Sequence, residues 1–160
     1  MAEKTASKRP FMVLRHAGPA ERPALEELQW RASLVHPAYR GALLQDRSIV
    51  HLSAEHLRDG SAVVAEVDGK VAGFAIILST GSGEAELDGL FVEPEMAGQG
   101  IGRALVEDAR QRARVSGATV LKVVAALEVE NFYRRCGFEL AGETETLLGK
   151  ALVMVQLLRD

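Results

Sequence analysis

One mixed α/β sheet carrying helices on both faces is the architecture this sequence predicts. Three observations predict it. β-rich runs and amphipathic stretches alternate along the chain, the middle third reads as a three-strand meander, and a strand–helix–strand unit follows directly. In such a unit the returning helix forces the two strands to be parallel, while a meander is antiparallel, so the sheet is mixed.

The elements follow in order. Residues 11–16 form a first strand. Residues 19–35 carry Leu25, Leu28 and Leu34 with Glu21, Glu26 and Glu27 early, a helix whose acids suit the positive end of its dipole. His36-Pro37 ends it, because the residue before proline is driven out of helical geometry. Shorter helices are expected near 39–44 and 54–58. Residues 62–67 and 71–78 are β-rich, and Asp68-Gly69 between them is a dipeptide favoured in two-residue hairpin turns. A Gly/Ser turn at 81–83 leads into a strand over 84–92, closed by Pro94. A glycine-rich loop over 97–102 opens a helix running to 115, with Ile101, Leu105, Ala109 and Ala113 on one face and Ser116-Gly117 as its stop. Residues 120–125 form a strand, 128–135 a short helix stopped by Gly137, and 138–141 and 151–158 two closing strands. Residues 1–9 are expected to be a flexible lead-in, and 10–160 a single domain.

Composition excludes several functions. With 48% hydrophobic and 26% charged residues, the 160-residue chain has the material for a real core. A net charge of −3 does not suit a general nucleic-acid binder, which carries a basic face. No apolar run reaches the roughly 20 residues of a membrane span, and MAEKTASKRP lacks the apolar stretch of a secretory signal; no membrane partner is expected. The sole cysteine, Cys136, excludes an internal disulfide framework, and a cytoplasmic setting is the expectation. The histidines at 16, 36, 51 and 56 show no metal-ligand spacing, so no metal is expected.

The glycines at 98, 100 and 102 carry the chemistry. Alternating small residues between a strand and a helix let backbone N–H groups approach an anion, and the helix N-terminus adds unpaired donors and partial positive charge. This describes a pyrophosphate cradle built from backbone; a tight turn that binds nothing is the alternative. The dinucleotide fingerprint G-x-G-x-x-G fails, since the sixth position is Arg103 counted from Gly98 and Leu105 counted from Gly100. No Lys-Ser/Thr pair follows, so the P-loop fails as well.

The segment from Val92 to Leu105, VEPEMAGQGIGRAL, resembles the acetyl-CoA signature Arg/Gln-x-x-Gly-x-Gly/Ala of the GCN5-related N-acetyltransferases (GNAT). Downstream, NFYRRCGF from Asn131 to Phe138 resembles that family's F-Y-x-x-x-G-F block, with one helix and one strand between the two. The resemblance covers nearly everything from Phe11 onward. It implies the acyl-CoA N-acyltransferase fold, acetyl-CoA as donor, and an amine acceptor (small molecule or peptide) acetylated in a ternary complex, with a homodimer compatible with the family. Gly98, Gln99, Gly100, Ile101, Gly102 and Arg103 would cradle the phosphates. Leu90, Phe91 and Val92 would pair through their backbone with pantetheine, and Asn131 and Tyr133 would complete the cofactor contacts. Ala97 stands where the signature usually has Arg or Gln, which leaves the phosphates to the backbone.

Acetyl transfer to an amine needs a neutral amine, aligned reactants, a stabilised carbonyl oxygen and a protonated leaving thiolate. A lysine-like amine has a pKa of roughly 10.4, so a base or a desolvating site must help. The resemblance puts Tyr133 beside the coenzyme sulfur as general acid, a role suited to a phenol that stays protonated at neutral pH. Period 2 places Glu86, Asp88, Leu90 and Val92 on one strand face, and acids there are costly to bury without a role. The resemblance makes Glu86 the catalytic base, directly or through water; Asp88 and Glu93 are alternatives, and a solvated edge acid is the bland reading. Trp30, His36 and Tyr39 fall in the segment that walls the acceptor site in the family, and residues 20–58 and 142–150 are its variable, acceptor-determining parts. The competing functions are a non-catalytic acyl-CoA-binding sensor on the same fold and a nucleotide-binding module.

Overall fold

Seven strands form one sheet in the order β1-β2-β3-β4-β5-β7-β6 in a computed structural model that describes residues 11–158. The expected lead-in over 1–9 lies outside the described residues. β1 (Met12–His16), β2 (Ala62–Val67), β3 (Lys70–Ser79) and β4 (Glu84–Val92) pair antiparallel in sequence order. β5 (Val120–Ala125) then joins β4 in parallel, as the strand–helix–strand crossover requires. β7 (Gly149–Leu157) and β6 (Glu139–Thr146) close the sheet antiparallel. At the β2–β3 turn Asp68 and Gly69 both take positive φ, 50° and 81°, the backbone that matches the twist of a tight hairpin.

Helices cover both faces. α1 (Arg22–Leu34), α2 (Pro37–Gln45) and α3 (Ala54–Arg58) follow β1. Leu25, Leu28 and Ala32 of α1 and Leu57 of α3 pack on Val64, Phe74 and Ile76. On the other face, Ile101, Leu105, Val106, Ala109 and Ala113 of α4 (Ile101–Val115) pack on Val63, Ala75, Leu87 and Leu121. The 4-1-3-4 spacing of those α4 residues makes one apolar stripe, and full burial of each large side chain contributes about 1.5–3 kcal/mol. α5 (Glu130–Arg135) lies on the α4 side through Tyr133.

Both helices of that side end alike. After α4, Gly117 takes φ 89° and the amide of Ala118 donates to Ala113 O at 2.9 Å. After α5, Gly137 takes φ 96° and Phe138 donates to Tyr133 O at 3.0 Å. This is the Schellman cap, in which a left-handed glycine lets the chain turn back on the last helical carbonyls.

Several boundaries differ from the sequence expectation, and two of these differences bear on the site. The closing strands, expected over 138–141 and 151–158, run further into residues 142–150: β6 and β7 continue to a turn at Leu147-Leu148, because Thr144↔Ala151 and Glu145↔Lys150 extend the ladder. The helix expected over 39–44 begins earlier, with Pro37 as its first residue, a position where the missing N–H costs nothing.

Candidate functional site

The site originates in a fault in β4. Ile76 opposes Gly89 while Ile77 opposes Leu87, so Asp88 is an extra residue bulged out of the β3–β4 ladder. Parallel pairing with β5 stops at the same point, Leu87↔Val123 being its last register pair. From Asp88 onward β4 leaves β5, and the edge it turns toward β5 has no strand to pair with. The parting opens a cavity of about 830 Å³ walled by α1, α2, β4, the glycine loop, the start of α4, β5, α5 and the β6–β7 hairpin.

The bulge corrects the expectation that Glu86, Asp88, Leu90 and Val92 share a face. One inserted residue inverts the alternation: Leu87, Leu90 and Val92 all belong to the α4-side core, and Glu86 faces the other way, opposite Leu78. Glu86 is absent from the cavity wall, whereas Asp88 is exposed and lines it. Asp88-Gly89 inside an otherwise strand-like run was the legible signal, since an isolated strand glycine marks a bulge. A Cβ on Gly89 would sit 2.7 Å from the Phe91 ring. Glu93 is committed elsewhere: its carboxylate accepts two bonds from the Arg31 guanidinium, both 2.8 Å, which holds its pKa below the ordinary carboxylate value. A carboxylate so paired is a poor base.

The glycine loop has the backbone of an anion cradle. Gly98 and Gly100 take φ of 82° and 81°, and a Cβ at either would meet nothing within 4 Å. These glycines therefore serve backbone conformation, with open space in front of them. Gly100 caps α4 without any side-chain bond to its first-turn amides, so the N–H groups of Ile101, Gly102 and Arg103 are left for a ligand. Gly102 has a different reason: its Cβ would come within 3.1 Å of Phe132. Leu90, Phe91, Val92, Gly98, Gly100, Ile101, Gly102, Arg103 and Tyr133 all line the cavity. Gln99 and Asn131 do not; both are exposed.

Tyr133 is fixed from two sides. Phe132 and Phe138 meet its ring edge-on, at centroid distances of 5.0 and 5.5 Å. The second contact is the apolar pair that accompanies the Schellman cap, so the F-Y-x-x-x-G-F spacing is itself the device that seats the tyrosine. Burial, with a smaller effect from Cys136, pushes its phenol above the ordinary value. Burial also raises the Cys136 thiol, against the opposing pull of Arg103 and Arg110. A thiol held protonated is no nucleophile.

The far end of the cavity holds Gln29, Ser33, His36 and Tyr39, with Thr146 and Leu148 from the β6–β7 hairpin. The sequence placed His36 and Tyr39 in this region. Trp30 is not on the wall; Arg47 stacks on its ring at 4.6 Å. Gln29 and Thr146 fall in the expected acceptor segments 20–58 and 142–150 but carry no individual signal there, and Arg135 had no sequence signal, because what makes the three neighbours is the packing of remote elements. Among the described residues no group of three or more His, Cys, Asp or Glu is placed to hold a metal, and no helix is long and apolar enough to cross a membrane.

A parted parallel strand pair with a backbone cradle at its mouth makes an α/β protein with a site for an extended ligand that carries an anionic end, and comparison with known proteins makes the class definite. Residues 58–140, just over half of the chain, match the model of the acetyltransferase (GNAT) domain. The chain belongs to the GNAT family. An uncharacterized N-acetyltransferase of Methanocaldococcus jannaschii is 35% identical over 85 residues, covering 48% of this chain and 38% of that protein. The peptidyl-lysine N-acetyltransferase YjaB of Salmonella typhimurium is 36% identical over 73 residues, covering 45% and 49%. The chain thus spans less than half the length of the curated relatives it matches. In structure, the PaiA N-acetyltransferase of Thermoplasma acidophilum, crystallised with coenzyme A, superposes with a TM-score of 0.74 at 15% identity, over 92% of this chain and 99% of that one, a likeness of fold.

Proposed function

We propose that this protein transfers the acetyl group of acetyl-CoA to a primary amine, by direct attack with both substrates bound. The observation that carries this reading is the coincidence, in one cavity, of the parted β4 edge, the empty-fronted glycine cradle and the seated Tyr133. Bound acetyl-CoA supplies an acetyl thioester; the rest is done by the chain.

Backbone amides from Gly98 to Arg103 hold the pyrophosphate, the Gln99 contribution being its N–H. The unpaired edge at Leu90, Phe91 and Val92 holds the pantetheine as an added strand would be held, and a fixed N–H there stabilises the carbonyl oxygen, a contribution of ~3 kcal/mol in comparable sites. Tyr133 keeps its proton at neutral pH and gives it to the departing sulfur. Asn131, exposed and off the cavity wall, reaches the donor only from the solvent side, and Glu86, on the opposite face, reaches the amine only through water.

The acceptor enters from the side of Gln29 and Tyr39. The side-chain oxygen of Gln29 is buried there with no partner among the described residues, a ready acceptor for a substrate N–H. The acceptor is a small-molecule amine or the amine of a peptide, and the peptidyl-lysine activity named for the Salmonella relative supports the second. We also infer one folding unit over residues 10–160, a cytoplasmic setting and no metal; light scattering distinguishes monomer from homodimer.

Calorimetry tests the reading. Wild type binds acetyl-CoA at micromolar concentration, and Gly100→Glu, which fills the open space and strains a left-handed position, binds at least 100-fold more weakly. No heat of binding from a folded wild type sinks the proposal.

A further inference from the structure

Beyond this reading, and resting on it, we infer that His36 is the group that takes the proton from the acceptor amine, and that Glu128 holds it in the tautomer able to do so. His36 lines the same cavity as Tyr133 and Leu90. It stands on the α1–α2 turn, and its Nδ1 lies 3.4 Å from a carboxylate oxygen of Glu128, which belongs to the β5–α5 connection. The pair therefore spans two elements that flank the parted strands. A carboxylate beside Nδ1 favours the proton there and leaves Nε2 bare, and Nε2 has no partner among the described residues.

The backbone of His36 is fixed. Its N–H donates to Ser33 O at 3.2 Å, its carbonyl accepts from Tyr39 N at 2.9 Å, and Pro37 follows. The Tyr39 ring meets the imidazole edge-on at 5.3 Å, which limits its rotation. Other acids serve less well. Glu93 is bound by Arg31, Glu86 is off the wall, and Asp88 is exposed with nothing to align it. The charged and titratable groups around His36 are Glu128, Tyr39 and Arg40, whose guanidinium donates to Leu34 O, with Asp88 across the cavity.

The step balances as follows. Nε2 removes one proton from the entering ammonium. The neutral nitrogen attacks the thioester carbon, the C–N bond forms and the C–S bond breaks. Tyr133 protonates the sulfur and recovers the second nitrogen proton, and His36 releases its proton to water. The products are an amide, a free thiol and one proton. Glu128 acts only through His36 and is a positioning residue.

The experiment has two arms. In the protein without donor, ¹⁵N NMR of the His36 ring at pH 8 shows the Nδ1–H tautomer, which is lost in Glu128→Ala and regained in Glu128→Asp; an Nε2–H tautomer in wild type overturns the inference. In the second arm, CoA release with 2-phenylethylamine is followed from pH 5.5 to 9.5, with acetyl-CoA affinity measured for each variant. His36→Gln loses about 10²–10⁴-fold in kcat/KM for the amine and loses the acidic limb of the profile, at unchanged acetyl-CoA affinity. Glu128→Ala loses kcat and Glu128→Asp restores part of it. An unchanged limb in His36→Gln, or its loss in Asp88→Asn instead, overturns the base assignment and leaves acetyl transfer standing. Acetyl-CoA binding with no release of CoA, with either 2-phenylethylamine or a lysine peptide as acceptor, overturns transfer and base together.

Discussion

Tyr133 illustrates how one residue's role depends on its seat. Its ring is buried between Phe132 and Phe138, and its hydroxyl donates to no residue among those described, although it lines the cavity. Gly137 secures the seat: its φ of 96° suits glycine, and a Cβ there would run into the Gln156 amide, which itself donates to Cys136 O at 3.1 Å. Because burial raises the phenol's pKa, the proton is present over the whole working range and its transfer, not its availability, limits its use. Tyr133→Phe keeps ring, packing and cavity and removes only that proton. A loss of about 10²-fold in kcat, with acetyl-CoA affinity within twofold of wild type, is expected from steady-state CoA release and calorimetry. An equal loss of affinity would mean that the hydroxyl binds the donor and does not act on the leaving group.

At the scale of elements, α1 and β4 are tied by the Arg31–Glu93 pair, which sits where β4 ends and the glycine loop begins. Arg31 is half exposed, so the pair contributes at most ~1 kcal/mol. Its sign with pH is definite. The folded pKa of Glu93 is depressed below 4.5, so its contribution is fully present above that value and is lost as pH falls through the folded pKa. Glu93→Gln should therefore lower Tm by roughly 2–4 °C at pH 7, and the gap should close as the pH falls through the depressed folded pKa of Glu93. Glu21, whose pKa Arg15 lowers in the same way, titrates in both proteins and cancels in the difference. A Tm gap that persists in acid would assign the effect to packing.

For the whole molecule, the cavity is the place where two otherwise continuous halves of the sheet separate. β1 to β4 with their helices form one side, β5 to β7 the other, joined in the sheet by four register pairs between β4 and β5. A ligand lying between the halves and bonded to both stabilises only the folded state. At 100 times its dissociation constant, CoA should add about 2.7 kcal/mol, a rise in Tm of roughly 5–10 °C for a chain of this size. Gly100→Glu should rise by no more than about 1–2 °C at the same concentration. A rise of equal size in that variant would place the ligand away from the glycine loop.

What the sequence determined by itself was local. The Asp68-Gly69 hairpin, the amphipathic stripe of α4, the glycine loop at its start and the cap that seats Tyr133 all depend on residues close together in the chain, where backbone stereochemistry and hydrophobic period decide the outcome. Even the parallel pairing of β4 with β5 followed, because a one-helix crossover admits no other sense. Tertiary structure decided the rest. Whether β4 keeps its alternation depends on how β3 opposes it, and the bulge at Asp88 moved Glu86 off the wall. The continuation of β6 and β7 through residues 142–150 was a matter of mutual pairing, since strand ends are stable only where a partner strand meets their hydrogen bonds. The approach of His36 to Glu128, 92 residues apart in the chain, comes from packing α1 and the β5–α5 connection around the parted strands, and no local spacing encodes such a meeting.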